Sequence, residues 1–460
     1  MSDASDSTPS TPDATAGVAQ SRDRAADGDA ESVSRRYRGR DFEISPAVTQ
    51  QARVRPYQRR TDDPVYRPLR IFTLDPSVSK LDGATALVNV PYEPLKSGPR
   101  GRLFHIVQND GDPVCDLDEP RVLLTQGFAP ARSDRCFQNQ MVYAVCSSVY
   151  AAFKAALGRD PAWGFVRNGD EERVPSGTLI VRPRAVNERN AHYDKSDGSL
   201  NFGYFTADAT ANRFMKGETI FTCLSHDVVA HELTHALLDG MRANFTIATQ
   251  ADVLAFHEAF ADLVAVFQHF SYREVVLAAL KQSAGSVTAG LLTDLARPLA
   301  KASPDGRPSA LRRACDDDAA TPRRYDPSLE IHELGSVLVL AVFDAFDTIY
   351  RRKIERYIRL ATGSGTLTKL RELSPDLQAV LAEEATQLAS QFLSICIRAI
   401  DYCPPVDLEF GEYLRALITA DRELVPDDPW GYREALIDAF RERGILPSGV
   451  TALDEAALVW

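Results

Sequence analysis

The segment SHDVVAHELTHALLDG, residues 225–240, constrains this chain more than any other part of its sequence. His231 and His235 stand four positions apart, so on a helix they project from one face, one turn apart. Two imidazoles in that arrangement can hold one zinc ion through Zn–N bonds of about 2.0–2.1 Å. Glu232 is rotated by about 100° from His231, so it can reach a metal-activated water without being a ligand. A helix with two incidental histidines is the weaker alternative, because the chain contains only 8 histidines.

A second helical segment, DVLAFHEAFADLVAVF at residues 252–267, offers the remaining ligand. A catalytic zinc site takes three protein ligands and keeps one position open. Glu258 and Asp262 share one face of this helix, and their apolar neighbours favour burial of that face over a solvated acidic pair. We expect Glu258 to be the third ligand and Asp262 to accept a hydrogen bond that fixes the tautomer of a ligating histidine. His257 is a rival ligand, but it points about 100° away from Glu258.

Composition narrows the class of protein that carries these segments. The chain has 460 residues, 44% of them hydrophobic, which is enough for two or three domains with their own cores. No apolar run approaches the roughly 18–20 residues of a membrane span, and a net charge of −12 has the wrong sign for a dedicated nucleic-acid binder. The 7 cysteines form no CxxC pair, and the first residues show no secretory signal. We therefore expect a cytoplasmic, reduced protein with no nucleic-acid partner, no disulfide scaffold and no membrane span.

The sequence pattern changes twice along the chain. Residues 1–65 are polar and are expected to form a disordered tail. Residues 66–242 carry short alternating runs such as ATALVNV and RLFHIV, which predict a β-rich lobe that contains one helix at 139–157 and ends in the histidine helix. Residues 243–460 are predicted to form a helical lobe. Its predicted helices span 251–271, 332–358, 374–400, 408–420 and 430–443. The predicted fold class is α+β.

These motifs resemble the thermolysin-like family of zinc metallopeptidases, the gluzincins, whose third ligand is a glutamate. DVVAHELTHALLDG is similar to the active-site helix of that family, and HEAFAD stands where the family carries Asn-Glu-x-x-Ser-Asp. The likeness runs in patches from about residue 139 to residue 445. It implies a two-lobe metallopeptidase fold with a β-rich N-terminal lobe, a central zinc-binding helix and an α-helical C-terminal lobe.

The resemblance also implies roles for residues outside the two helices. NERNAHYD, residues 187–194, is similar to the family's edge strand, which implies that Asn190 and Ala191 bind the main chain of the substrate. SALRRAC is similar to the segment with an arginine that binds a substrate carbonyl, which implies that role for Arg312. SLEIHELGS resembles the segment whose histidine stabilises the tetrahedral intermediate, which implies a catalytic role for His332.

The sequence departs from the family pattern at several residues that support the site or bind calcium in the family. Asp326 lies one position off the aspartate that supports the family's catalytic histidine, and Glu330 is an alternative partner. Asp227 is expected to lie behind the zinc ligands as a supporting side chain. It also remains from the acidic cluster that binds paired calcium ions, but His269 replaces a glutamate, so structural calcium has little support. Relatives of this kind are secreted with a folding propeptide, and nothing in the sequence resembles one.

We expect a zinc-dependent endopeptidase that hydrolyses peptide bonds with a metal-activated water. His231, His235 and Glu258 would hold one catalytic zinc ion. Glu232 would act as general base and then general acid, and His332 would stabilise the oxyanion. The alternatives are a zinc amidohydrolase that acts on a non-standard amide and an inactive peptidase-like scaffold retained for binding. The expected partner is a protein or peptide substrate, and control by a regulatory partner of the polar tail is a further hypothesis.

Overall fold

The computed structural model of the chain describes residues 56–73, 76, 85–165, 177–207, 217–282, 323–362 and 374–460. All of these residues belong to one compact unit, Gln51–Trp460. Most of the predicted tail, residues 1–55, lies outside the described residues. Within the described ranges the fold is of the α+β class, as the sequence predicts, and most of the regular structure is helical.

The described strands form two sheets. They are β1 (Tyr66–Phe72), β2 (Thr85–Pro91), β3 (Phe104–Ile106), β4 (Leu179–Val186), β5 (Ala191–Asp194), β6 (Ser199–Thr206) and β7 (Thr219–Phe221). Strands β1 and β2 form an antiparallel pair, and every second residue of β2 is buried, which is the pattern of a strand with one face on a core. The larger sheet has the order β3-β4-β6-β5, and β7 also pairs with β6. Strands β3, β4 and β6 run parallel, whereas β5 and β7 run antiparallel to β6.

The helices of the described ranges follow the sheet strands and dominate the second half of the chain. They are α1 (Pro120–Leu124), α2 (Arg135–Leu157), α3 (His226–Met241), α4 (Ala251–Phe270), α5 (Arg273–Gln282), α6 (Ile331–Thr362), α7 (Pro375–Ala399), α8 (Phe410–Leu424), α9 (Tyr432–Arg443) and α10 (Glu455–Leu458). The helices predicted from apolar periodicity are confirmed, with shifts at some ends. The short helix α5, which follows α4 after a break of two residues, was not predicted.

Helix α2 begins earlier than the apolar pattern predicts. The sequence places its start at residue 139, whereas the helix begins at Arg135. The carboxylate of Asp134 accepts hydrogen bonds from the backbone N–H groups of Cys136 and Phe137, which the first turn leaves without helical partners. The cap, which apolar spacing does not reveal, therefore sets this boundary.

Cys115 and Cys136 form a disulfide bond between a loop and the first turn of α2. The expectation of fully reduced cysteines is wrong for this pair. The two residues are 21 positions apart, and only the folded loop brings their sulfur atoms together. The other cysteines of the described ranges are free and buried: Cys146, Cys223, Cys396 and Cys403.

Helix α4 lies at the centre of the helical part of the molecule. It packs against α3, α6 and α7, and its aromatic side chains Phe256 and Phe260 are fully buried. Among the described helices it is the one long and apolar enough to cross a membrane by composition, but 83% of its most apolar window is buried inside the protein. That burial is the environment of a core helix.

Gly335 allows the start of α6 to lie directly against α4. A Cβ atom at this position would come within 2.8 Å of the backbone oxygen of Ala255, which is closer than real Cβ contacts. The close approach brings the first turn of α6, with His332, beside the turn of α4 that carries Glu258.

Candidate metal centre

Ligand-type side chains of α3 and α4 face each other across the seam between the two helices. His231 contacts Asp262, and His235 lies beside Glu258. The later residue of α3 thus lies beside the earlier residue of α4, which means that the two helices run antiparallel. Positions i and i+4 share a helix face, which explains why each helix contributes two side chains to the seam. The sequence therefore predicts correctly which faces meet.

Three ligand side chains converge at this seam. The Nε2 atoms of His231 and His235 are 3.0 Å apart. A carboxylate oxygen of Glu258 lies 3.5 Å from Nε2 of His231, and the other lies 3.7 Å from Nε2 of His235. All three side chains are between 12% and 27% exposed, so the group is reachable from solvent without being a surface cluster.

The remote nitrogen of each histidine is already hydrogen-bonded. Nδ1 of His231 lies 2.9 Å from the carboxylate of Asp262. Nδ1 of His235 lies 2.7 Å from Nδ1 of His257. An Nδ1–H that donates to such an acceptor leaves the lone pair of Nε2 facing the other two ligand atoms, which is the tautomer that a metal requires.

The dimensions of this group fit a zinc ion. Tetrahedral zinc with bonds of about 2.0–2.2 Å separates its ligand atoms by about 3.3–3.5 Å. The separations of 3.0, 3.5 and 3.7 Å bracket that range. The donor set of two imidazoles and one carboxylate is also one that zinc prefers, and a triangle of three ligands leaves a fourth position open.

The electrostatic environment of the seam shifts the pKa values of its three ligand side chains in different directions. Burial opposes ionisation of Glu258, but the hydrogen bond from His231 and the nearby imidazoles hold the pKa of this carboxyl well below its ordinary value. Burial likewise opposes protonation of His231, yet Asp262 and Glu258 raise the pKa of this imidazole well above its ordinary value. Burial and the neighbouring His231 lower the pKa of His235, which disfavours the cationic form of this imidazole.

His257, the rival ligand, does not join the three ligand side chains. It lies behind His235 as the partner of Nδ1, with the two rings stacked at 4.8 Å between centroids. Burial lowers the pKa of His257 to about 4, so its imidazole is neutral and can accept a hydrogen bond. Helical spacing predicts the rotation of this side chain away from Glu258 but not its contact with His235.

Glu232 lies on α3 between the two histidines and is 8% exposed. It follows the ligand His231 directly in the chain, and its carboxylate is largely shielded from bulk solvent. His332 reaches the same group from α6, with Nε2 3.6 Å from the carboxylate of Glu258.

The predicted support of His332 by Asp326 is wrong. The carboxylate of Asp326 instead accepts hydrogen bonds from the backbone N–H and the hydroxyl of Ser328, in a local turn. Glu330, the alternative, lies 2.7 Å from Nδ1 of His332 and also accepts the backbone N–H of that residue. Glu330 lies two residues before His332, which allows this contact, whereas the turn at Ser328 holds the carboxylate of Asp326 away from His332.

Asn190 and Ala191 lie at the start of the edge strand β5. Among the described strands β5 pairs only with β6, so its other edge has no strand partner. Tyr193 anchors β5 to α3, because its hydroxyl donates to the fully buried carboxylate of Asp239, 2.9 Å away. The strand therefore lies beside the helix that carries the histidines. Arg312, the predicted carbonyl-binding residue, lies outside the described residues.

Asp227 does not support the three-ligand group as predicted. Its carboxylate contacts His269 and His226 instead, at 2.6 and 3.3 Å from their Nδ1 atoms. His226, Asp227 and His269 form a second group that could hold a metal ion. The sequence reasoning missed His226, although it stands directly beside Asp227 in the same helical turn.

Comparisons with known proteins give no assignment. No protein-family model matches the chain, and no curated protein is significantly similar to it. The functional assignment therefore depends on the geometry of the side chains.

Proposed function

We propose that the protein is a zinc-dependent hydrolase of peptide bonds. The observation that carries this proposal is the triangle of His231, His235 and Glu258, whose ligand atoms lie 3.0–3.7 Å apart while both Nδ1 atoms are hydrogen-bonded elsewhere. A helix pair held together only by packing does not need two imidazoles aimed at one carboxylate. We also propose that the lobes are arranged as in thermolysin-like peptidases, because most strands precede the histidine helix and most helices follow it along the described chain.

Zinc at these ligands would supply Lewis acidity, which polarises a carbonyl and lowers the pKa of a water toward about 7. Glu232 takes a proton from the attacking water and later delivers it to the leaving amine. Its low exposure supports this role, because a base shielded from bulk water keeps the proton within the site.

His332 stabilises the negative charge that develops on the carbonyl oxygen. Its Nδ1 faces Glu330, and its Nε2 points toward the ligand group, 3.6 Å from Glu258. An imidazole nitrogen held beside the ligand group can stabilise an oxyanion that forms there by hydrogen bonding. Glu330 thus orients the ring and does not contact the reacting atoms.

A peptide substrate binds along the edge of β5, with Asn190 and Ala191 contacting its main chain. An open strand edge can accept an extended peptide through backbone hydrogen bonds, which suits substrates of varied side chains. The attachment of β5 to α3 through Tyr193 and Asp239 supports this role, because it fixes the edge relative to the catalytic helix. Arg312 stays a proposed contact for a substrate carbonyl.

The test compares Glu232→Gln with the matched control Glu333→Gln. Glu333 also follows a histidine, but it is exposed on the first turn of α6. With unfolded casein as substrate and zinc content measured in parallel, Glu232→Gln should retain zinc and lose at least about 100-fold in rate, which is the scale of a general base. Glu333→Gln should cleave at the wild-type rate.

Full activity of Glu232→Gln would contradict the mechanism. If the wild-type protein holds zinc but leaves casein and short peptides intact, the function is instead one of the two alternatives, hydrolysis of a non-standard amide or binding without catalysis. A zinc chelator distinguishes metal-dependent cleavage from a contaminating protease, since only the former is abolished and then restored by added zinc.

A further inference from the structure

A second group of metal-ligating side chains lies on the same helix pair, one turn from the first. Asp227 precedes His231 by four residues, which is about 6 Å along the axis of α3. His269 faces Asp227 from the last turn of α4. The seam thus carries three successive contacts between an imidazole and a carboxylate: His235 with Glu258, His231 with Asp262, and His269 with Asp227. In the first two pairs α4 supplies the carboxylate, whereas in the third pair α3 supplies it.

His226 completes this second group. One oxygen of Asp227 lies 2.6 Å from Nδ1 of His269 and 3.3 Å from Nδ1 of His226. Both imidazole side chains are at most 1% exposed, whereas the carboxylate is 28% exposed. The group is therefore enclosed on the side of the imidazoles and open to solvent on the side of Asp227.

The Nε2 atoms of the two histidines point away from Asp227, and within the described part of the chain only that of His226 has the hydrogen-bond partner that is typical of a metal ligand. Nε2 of His226 lies 3.1 Å from the hydroxyl of Tyr272, which can accept the Nε2–H that a ligand bound through Nδ1 carries. Nε2 of His269 is buried and has no hydrogen-bond partner among the described residues. This nitrogen faces away from Asp227, so in the described ranges it stays without a partner whether Nδ1 binds a metal or donates to the carboxylate, and it does not distinguish the two roles.

We propose that His226, Asp227 and His269 bind a second divalent transition-metal ion of the zinc type. Their ligand atoms lie within 4.8 Å of one another. Two imidazoles and one carboxylate suit zinc, cobalt or nickel, whereas calcium and magnesium take oxygen ligands. The ion would join the first turn of α3 to the last turn of α4, and solvent at Asp227 would complete its coordination. This site is separate from the proposed catalytic centre and does not depend on its function.

The rival explanation is a metal-free cluster in which both imidazoles donate hydrogen bonds to Asp227. Asp227→Asn separates the two, because the amide oxygen still accepts hydrogen bonds while the negative charge that a metal needs is gone. The side chain is also partly exposed, so this substitution disturbs packing less than a change at either buried imidazole. His269→Gln is the second variant, and His192→Gln is the matched control at an exposed histidine on β5.

The experiment measures bound zinc per chain after loading with zinc and removal of the excess by gel filtration. We expect two equivalents for the wild-type protein and for His192→Gln, and one equivalent for Asp227→Asn and for His269→Gln. Calcium in excess should not restore the missing equivalent. Zinc should also still raise the melting temperature of Glu258→Ala, in which only the second site remains.

Two results would overturn the proposal: wild-type protein that binds no zinc beyond the equivalent lost in Glu258→Ala, or Asp227→Asn that binds as much zinc as the wild type. If His269→Gln does not fold, the wild-type stoichiometry and Asp227→Asn still decide. A protein whose only zinc is lost in Asp227→Asn and kept in Glu258→Ala would support this site and refute the catalytic centre.

Discussion

Substitution of Asp262 tests whether the side chains behind the ligands tune the proposed zinc site. Its carboxylate accepts a hydrogen bond from Nδ1 of His231 over 2.9 Å. This contact fixes the ring so that Nε2 faces His235 and Glu258, and the negative charge makes Nε2 a stronger ligand. Removal of Asp262 should therefore weaken zinc binding without removing any ligand.

The expected loss follows from what the two replacements retain. Loss of a carboxylate behind a ligating histidine lowers metal affinity by about 10–100-fold, which is about 1.4–2.7 kcal/mol. Asp262→Asn keeps an oxygen acceptor of the same reach, so its affinity should fall by about tenfold. Asp262→Ala leaves Nδ1 without this acceptor and should approach about a hundredfold loss.

The assay is competition for zinc with a chelator of known affinity at fixed pH and ionic strength. Glu258→Ala identifies the relevant binding step, because that step should be absent from its titration. Asp438→Asn is the matched control, since it makes the same chemical change on an exposed helical position far along the chain. Equal zinc affinity for Asp262→Ala and Asp438→Asn would refute the proposed role of Asp262.

Three further predictions concern catalysis, packing and pH. His332→Ala should lower kcat on a peptide substrate by about 100–1,000-fold at unchanged zinc content, and a loss of zinc instead would mean that His332 is a ligand. Gly335→Ala should lower the free energy of unfolding by about 1–2 kcal/mol in urea titrations despite the better helix propensity of alanine, because the added Cβ meets the backbone oxygen of Ala255; an equal or higher stability would contradict this close approach. Burial raises the pKa of Asp347 to about 6, so the folded protein binds this proton more tightly than the unfolded chain and loses stability as pH rises from about 4 to about 6. Asp347→Asn should therefore gain stability relative to the wild type by up to about 3 kcal/mol between pH 4 and pH 7, whereas a difference independent of pH would refute the assignment.

The sequence predicted the parts of the site that helical periodicity determines. His231, His235, Glu258 and Asp262 lie on regular helices, where a spacing of four residues fixes the shared face. Burial of the apolar residues around them then leaves one way for the two faces to meet. The structure brings these four side chains together as the spacing requires.

The sequence failed where a loop or a contact between distant elements determines the geometry. Glu330 and not Asp326 supports His332, because the turn at Ser328 binds the carboxylate of Asp326 locally. The position of His257 behind His235 depends on the distance between two helices, which spacing along one helix does not give. The disulfide was missed for the same reason, since its two cysteines meet only in the folded chain.

A crystal structure of the zinc-loaded protein, with an anomalous difference map recorded at the zinc absorption edge, tests the central claim most directly. The account predicts a peak about 2.0–2.2 Å from Nε2 of His231, Nε2 of His235 and a carboxylate oxygen of Glu258. A seam without a peak at these three atoms, or a peak whose ligands exclude Glu258, would contradict it.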